Sequence, residues 1–267
     1  MLRISESLSI AYGVYVALAA VRPRWGWRRR ILVWACAALM TGIPVVLATL
    51  PQAPLIALVR DWAPAIYILI SYYASGALFA GPSAAFEAWL ARADARLPLL
   101  SRLKRMPPSL EAIFEVLYAG TFLVIPAGFA VLAVSGLRAQ ADRYWTMVSL
   151  SEYVAFGFLP WLPSRPPWLV EKLDPEDSRG MRKAGLVWVR RTSHCANTFP
   201  SGHTAGSLTV AFAVIPFAPL PGVALLAVAI GIAIGCMAGR YHYAVDVLAG
   251  VVLALAVSGV AWVGWVA

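Results

Sequence analysis

Residues 222–266 read GVALLAVAIGIAIGCMAGRYHYAVDVLAGVVLALAVSGVAWVGWV. Two apolar runs, 222–239 and 243–266, are parted by Arg240, Tyr241 and His242. Arg240 and Asp246 are the only formally charged residues in the stretch. A helix needs about 20 apolar residues to cross a bilayer, and only a helix or a closed barrel satisfies its own backbone there. The stretch therefore reads as two spanning helices joined by a tight turn.

Further apolar stretches fall near 8–21, 31–50, 62–80, 110–135, 145–163 and 201–218. The expected fold is all-α, a polytopic transmembrane helical bundle of about 7–8 spans. Composition agrees. Of 267 residues 61% are hydrophobic and 13% charged, against about 25% charged in soluble domains. This excludes a soluble enzyme, a disordered chain and a secreted disulfide scaffold. Alternating strand-length segments are absent, which argues against an outer-membrane barrel. Cys36, Cys195 and Cys236 are odd in number and far apart, so no disulfide framework follows. Ala17-Leu18-Ala19 looks like a cleavage site, but Arg22, Arg24, Arg28, Arg29 and Arg30 follow at once and resist export. The first segment is expected to stay in place.

The net charge is +9. Eighteen of the 22 basic residues fall in loops 22–30, 81–109 and 164–199 and at Arg240; Arg3, Arg60, Arg138 and Arg143 fall at the opposite helix ends. The positive-inside rule places the rich side in the cytoplasm, in an inner or plasma membrane. It also explains the basic balance without nucleic acid. Segment 82–106 reads either as an interfacial helix or as an ordinary loop helix, with Phe86, Trp89, Leu90 and Leu97 on one face and Arg92 and Arg96 on another. Residues 1–60 read as additional N-terminal helices with a basic loop. Residues 61–267 read as the functional membrane domain, with its chemistry within 160–250.

The three histidines, His194, His203 and His242, lie near predicted membrane boundaries in the last third. His203 ends Pro200-Ser201-Gly202-His203 where an apolar helix begins. Pro200 suits a first helical turn, and Ser201 and Gly202 put no bulky side chain before the free N–H groups. Such an N-terminus is a ready anion site; a plain helix cap beside a structural histidine is the alternative. His242 and Asp246 are four apart, on one helical face. An unpaired aspartate in an apolar run costs about 2.5–3.5 kcal/mol or more, so Asp246 wants His242 as its partner. That pairing would fix the tautomer and leave the other ring nitrogen free; a purely structural pair reads equally well locally. Two short crossings separate His203 from His242, so both lie at one membrane face, as does Arg165 in Arg165-Pro166-Pro167. Arg240 adds a charge with bidentate reach for phosphate. Two histidines, an aspartate, arginines and a helix N-terminus suit phosphoryl transfer with no metal and no cofactor. Arg190 and Arg191 would serve as headgroup contacts or as topology determinants. His194 reads as a loop residue. Glu152, inside a span, requires a partner or a water cavity. Glu111 and Glu115 read as structural.

Pro200-Ser201-Gly202-His203 followed by His242 and Asp246 resembles the type-2 phosphatidic acid phosphatase superfamily. The resemblance implies a six-helix phosphatase-type core and a phosphohistidine formed on His242. It implies His203 as general acid, Asp246 orienting His242, and Arg165, Ser201 and Gly202 binding phosphate, with Arg240 as a further charge. Two positions depart: Phe158 and Cys236 stand where the family has a lysine and an arginine. Arg-Tyr-His-Tyr and Arg-Pro-Pro look like the branch with inositol phosphorylceramide synthases. The expected protein is a membrane lipid phosphatase acting on a phospholipid or polyprenyl mono- or diphosphate. A headgroup transferase on the same residues is the alternative, and a non-catalytic lipid-binding protein is a third reading.

Overall fold

The computed structural model describes residues 1–22, 24–51, 53–97, 103 and 106–266, with side chains through 261. The helices are α1 (Ile4–Ala19), α2 (Trp27–Thr49), α3 (Pro54–Ala77), α4 (Ala84–Ala95), α5 (Pro108–Ala119) and α6 (Thr121–Val134). They continue as α7 (Ala141–Gly157), the single turn α8 (Pro167–Val170), α9 (Gly180–Thr192), α10 (Gly202–Val214), α11 (Pro219–Ala238) and α12 (Ala244–Val266). Proline opens α3, α5 and α11 in the first turn, where its missing N–H costs nothing.

The sequence pattern suggested about 7–8 spans. By length and composition, four helices among the described residues qualify (α2, α3, α11 and α12), or five with the bent pair α5–α6. The apolar run 110–135 is not one straight helix. It breaks at Gly120, where α5 and α6 meet at 66°. The other exceptions are short: α1 has 16 residues, α7 has 17 and α10 only 13. In α10, 11 of those residues are buried. A helix enclosed on all sides by protein needs neither the length nor the apolar surface of a lipid-facing one. It packs against α6, α7, α11 and α12, and its Gly, Ala, Ser and Thr residues let those backbones approach.

Charged side chains collect at the two ends of the bundle, and the grouping matches the charge split along the sequence. At one end Asp61 binds Arg3 (2.9 Å) and Arg138 (2.5 Å). There Asp142 accepts the Ile4 and Ser5 backbone N–H groups, closing the α1 N-terminus. At the other end the Arg24 guanidinium donates to the Pro160 carbonyl, and the Trp25 indole donates to the Leu78 carbonyl. Arg29 donates to the Phe79 carbonyl at the same end. The Ser83 N–H bonds the Pro163 carbonyl and Arg165 pairs with Glu87, so the described parts of loops 22–30, 81–109 and 164–199 lie at a single end; Arg102, Lys104 and Arg105 lie outside the described residues.

The pair Arg60–Glu6 is nearly sealed, with side chains 4% and 2% exposed and contacts of 2.6 and 2.7 Å. Glu6→Ala would leave the buried Arg60 guanidinium the Met1 carbonyl but take away its Glu6 carboxylate, a loss of about 3–5 kcal/mol. We expect a lower unfolding temperature in detergent for Glu6→Ala, with little further loss when Arg60 is also replaced. A simple sum of the two losses would show that the pair is not coupled.

Candidate active site

The segment 197–203 does not start its helix at Pro200. Ser201 takes the N-cap, with its hydroxyl accepting from the Thr204 N–H at 3.4 Å, and Pro200 stands before the cap. Serine is among the best N-caps, which sets the boundary one residue on. The Gly202 N–H points to the Thr198 hydroxyl at 3.4 Å. The helix N-terminus is therefore partly satisfied from within. Gly202 faces α7 and not the open cavity: a Cβ there would lie 3.0 Å from both Glu152 and Phe156. The Glu152 carboxyl rests in the space left by Gly202 and Gly206. It faces a small cavity shared with His203, Tyr72 and Phe156.

His242 is presented by a helix ending. The Tyr241 N–H bonds the Cys236 carbonyl (2.9 Å) and the Arg240 N–H bonds the Met237 carbonyl (3.2 Å). This is the double bond pattern of a Schellman turn, with Arg240 at its left-handed position, φ +55°. Glycine usually holds that position, because a side chain costs about 1–2 kcal/mol there. Here the arginine offsets the cost through ion pairs with Asp94 (2.9 Å) and Glu171 (2.6 Å). Asp94 also accepts the Ala244 N–H at 2.7 Å, at the start of α12. Asp94 so ties both sides of the His242 turn to α4. Tyr241 donates to Glu115 at 2.5 Å, and Arg182 of α9 binds the same carboxylate at 2.7 Å. Glu115 is structural, as its sequence position suggested.

The chemistry-bearing groups converge. His242 Nε2 lies 3.4 Å from His203 Nδ1, and His242 Nδ1 lies 3.5 Å from Asp246 Oδ2. The Asp246 carboxylate accepts the Tyr243 N–H at 2.9 Å, and its carbonyl accepts the Ser201 N–H at 3.0 Å. The two motifs are thereby bonded to each other through the backbone. Burial pushes the His242 imidazole down to about 3, so its neutral form holds a free lone pair at neutral pH. The His203 ring stacks on Tyr118, which stacks in turn on Tyr241. Tyr118 before the Gly120 bend and Phe122 after it both contact the His203 ring.

The cavity before these rings holds about 40 Å³ of free space. Tyr72, Phe122, Phe156, Trp168 and Trp188 form much of its wall, with His194, His203 and His242. Among the described residues, no lysine or arginine lines it. Arg165 makes a bidentate pair with Glu87 at 2.9 Å and is tied by its backbone N–H to the same carboxylate. This holds the Glu87 carboxyl below its ordinary range. Arg240 is occupied as described. Arg190 pairs with Asp174 at 3.3 Å on the surface, and Arg191 is exposed. The structure thus gathers His203, His242, Asp246 and Ser201, while the four arginines stand outside the cavity wall. Phe158 is 43% exposed on a separate apolar groove, and Cys236 is fully buried in the core. Neither position faces the cavity.

Glu87 and Asp94 escaped the sequence reading. Their signal was present: Glu87, Leu90 and Asp94 share one stripe of α4, so two acids lie on the face that Leu90 buries. The helix packs its apolar side on the protein, where Phe86 and Trp89 contact Phe199.

A family model described as the PAP2 superfamily matches residues 85–260, from the start of α4 into α12. No curated protein and no solved structure matches the chain.

Proposed function

The chain belongs to the PAP2 superfamily, and from that premise we propose that it is a membrane lipid phosphatase working through a phosphohistidine. The contact line Asp246–His242–His203 is the observation that carries the reading. His242 Nε2 attacks phosphorus and the bond to the lipid oxygen breaks. His203 gives that oxygen its proton. Asp246, 3.5 Å from His242 Nδ1, stabilises the charge that grows on the ring. Water, losing its proton to His203, then attacks the phosphohistidine and frees phosphate. At 3.4 Å the two rings touch, so they must part to admit a phosphoryl group. No metal enters the scheme. The substrates are a phospholipid or polyprenyl mono- or diphosphate, and the basic end of the bundle, which carries the site, faces the cytoplasm.

One observation favours a second reading. A cavity without lysine or arginine suits a singly charged phosphodiester better than a phosphomonoester dianion. On the same residues, a phosphodiester donor and an alcohol acceptor would give headgroup transfer.

Quenching the purified protein with a radiolabelled lipid phosphate, in the presence of a chelator, tests both. An acid-labile, base-stable label that disappears with phosphate release supports the phosphatase. A label formed only from phosphodiesters and discharged only by added alcohol supports the transferase. The absence of any labelled protein in either arm overturns the covalent scheme.

A further inference from the structure

His194 is the histidine that the scheme above leaves unused. The sequence gives it no motif, yet the fold places it in the wall of the cavity that His203 and His242 share. We propose that His194 is a third substrate-contacting imidazole, donating a hydrogen bond to a phosphoryl oxygen held before His203 and His242. The inference rests on the phosphoryl-transfer reading of that cavity.

Both ring nitrogens of His194 are shut off from solvent, and neither has a hydrogen-bond partner. Buried polar groups are nearly always satisfied, and an exception calls for a ligand or another cause. Here the cause is visible in the surroundings. The ring is held by packing alone, 4.3 Å from the Tyr72 ring centroid, and Gly76 of α3 leaves the space it occupies. A Cβ at position 76 would overlap the imidazole. Its backbone is fixed as well. The Ser193 N–H closes α9 on the Val189 carbonyl, and the Cys195 N–H bonds the Ser193 hydroxyl. A rigid polar ring without hydrogen-bond partners thus stands in the cavity wall, its Cδ2–Nε2 edge packed against Gly76. Burial pushes His194 down to about 4, so at neutral pH it carries one N–H donor and one lone pair.

The electrostatics of the cavity give that donor a task. Phosphoryl oxygens must be held by something; Arg165, Arg190 and Arg240 are bound to Glu87, Asp174, Asp94 and Glu171 instead, and Arg191 is exposed away from the cavity wall. Neutral donors that cost no reorganisation serve well in a water-excluded site.

The test is orthovanadate binding by calorimetry, with purified full-length protein in detergent. Wild type, His242→Ala, His194→Phe and His194→Gln are compared. His194→Phe keeps the ring shape and removes the donor. It is expected to weaken vanadate by about 10- to 100-fold, the size of one hydrogen bond to a charged group. His194→Gln restores an N–H donor and is expected to recover most of that loss. Unchanged binding in His194→Phe, or equal loss in both variants, overturns the proposal while leaving the phosphoryl site intact. Absence of vanadate binding in the wild type overturns the site reading itself, and the His194 contact with it.

Discussion

On the proposed scheme, alanine at His242 is expected to remove turnover of every substrate, and alanine at His203 to spare those whose leaving group needs no proton. The two rings touch at 3.4 Å, yet their environments divide the roles. His242 has Asp246 beside Nδ1, which leaves Nε2 as its nucleophilic atom. His203 is backed by the Tyr118 ring, and among the described residues no carboxylate forms an ion pair with it. A nucleophile that forms the covalent bond cannot be bypassed, so His242→Ala should lose at least roughly 10⁴-fold in kcat. A general acid contributes about 10²–10⁴-fold, and only where the departing oxygen is basic. His203→Ala should therefore lose that factor on an alkyl phosphate, and far less on a nitrophenyl ester. Kinetics over a series of leaving groups measure this directly. Equal loss across the series would remove His203 from the acid role.

Alanine at Asp94 has the second large effect, at a residue about 150 positions from the motif it serves. Its carboxylate is 5% exposed and holds both Arg240 and the Ala244 N–H. Removing it leaves the buried Ala244 N–H and the Arg240 Nη1 without their acceptor, while Nε and Nη2 keep Glu171, a loss of about 3–5 kcal/mol if the buried pair is broken. The consequence reaches the chemistry, because His242 sits between the two anchored points. A misplacement of about 1 Å at a reacting group can cost about 100-fold. We expect Asp94→Ala to lower both the unfolding temperature and kcat, with Asp94→Asn intermediate because it still accepts the Ala244 N–H. Glu171→Ala is the control. Its carboxylate is 33% exposed, and such a pair contributes about 1 kcal/mol or less. Similar losses in the two variants would show that burial of Asp94 has no special role.

The membrane bundle was legible because hydrophobic run length is a local property. The sorting of loops to two ends was legible for a related reason: each crossing reverses the chain, so charge counts along the sequence become sides. The structure repeats that sorting in its contacts at Asp61 and Asp142 on one end and at Pro160, Leu78 and Phe79 on the other. Span lengths were less legible. The pattern over 110–135 carries no mark of the 66° bend at Gly120, and the brevity of α10 makes sense only once its neighbours surround it.

The sequence by itself determined the helical membrane fold and the PAP2 motifs, and it brought Asp246 near His242; the expected shared helical face is not what does so, because His242 stands in the turn before α12 begins at Ala244. Tertiary structure decided which charges remain available. Arg165, Arg190 and Arg240 each meet a carboxylate from a different part of the chain, and no local pattern announces such a partner. It also drew His194 from an unremarkable loop into the cavity wall, through space that Gly76 leaves open in α3. Partners more than a hundred residues apart meet only through packing, and packing determines whether a polar group is satisfied or free to bind.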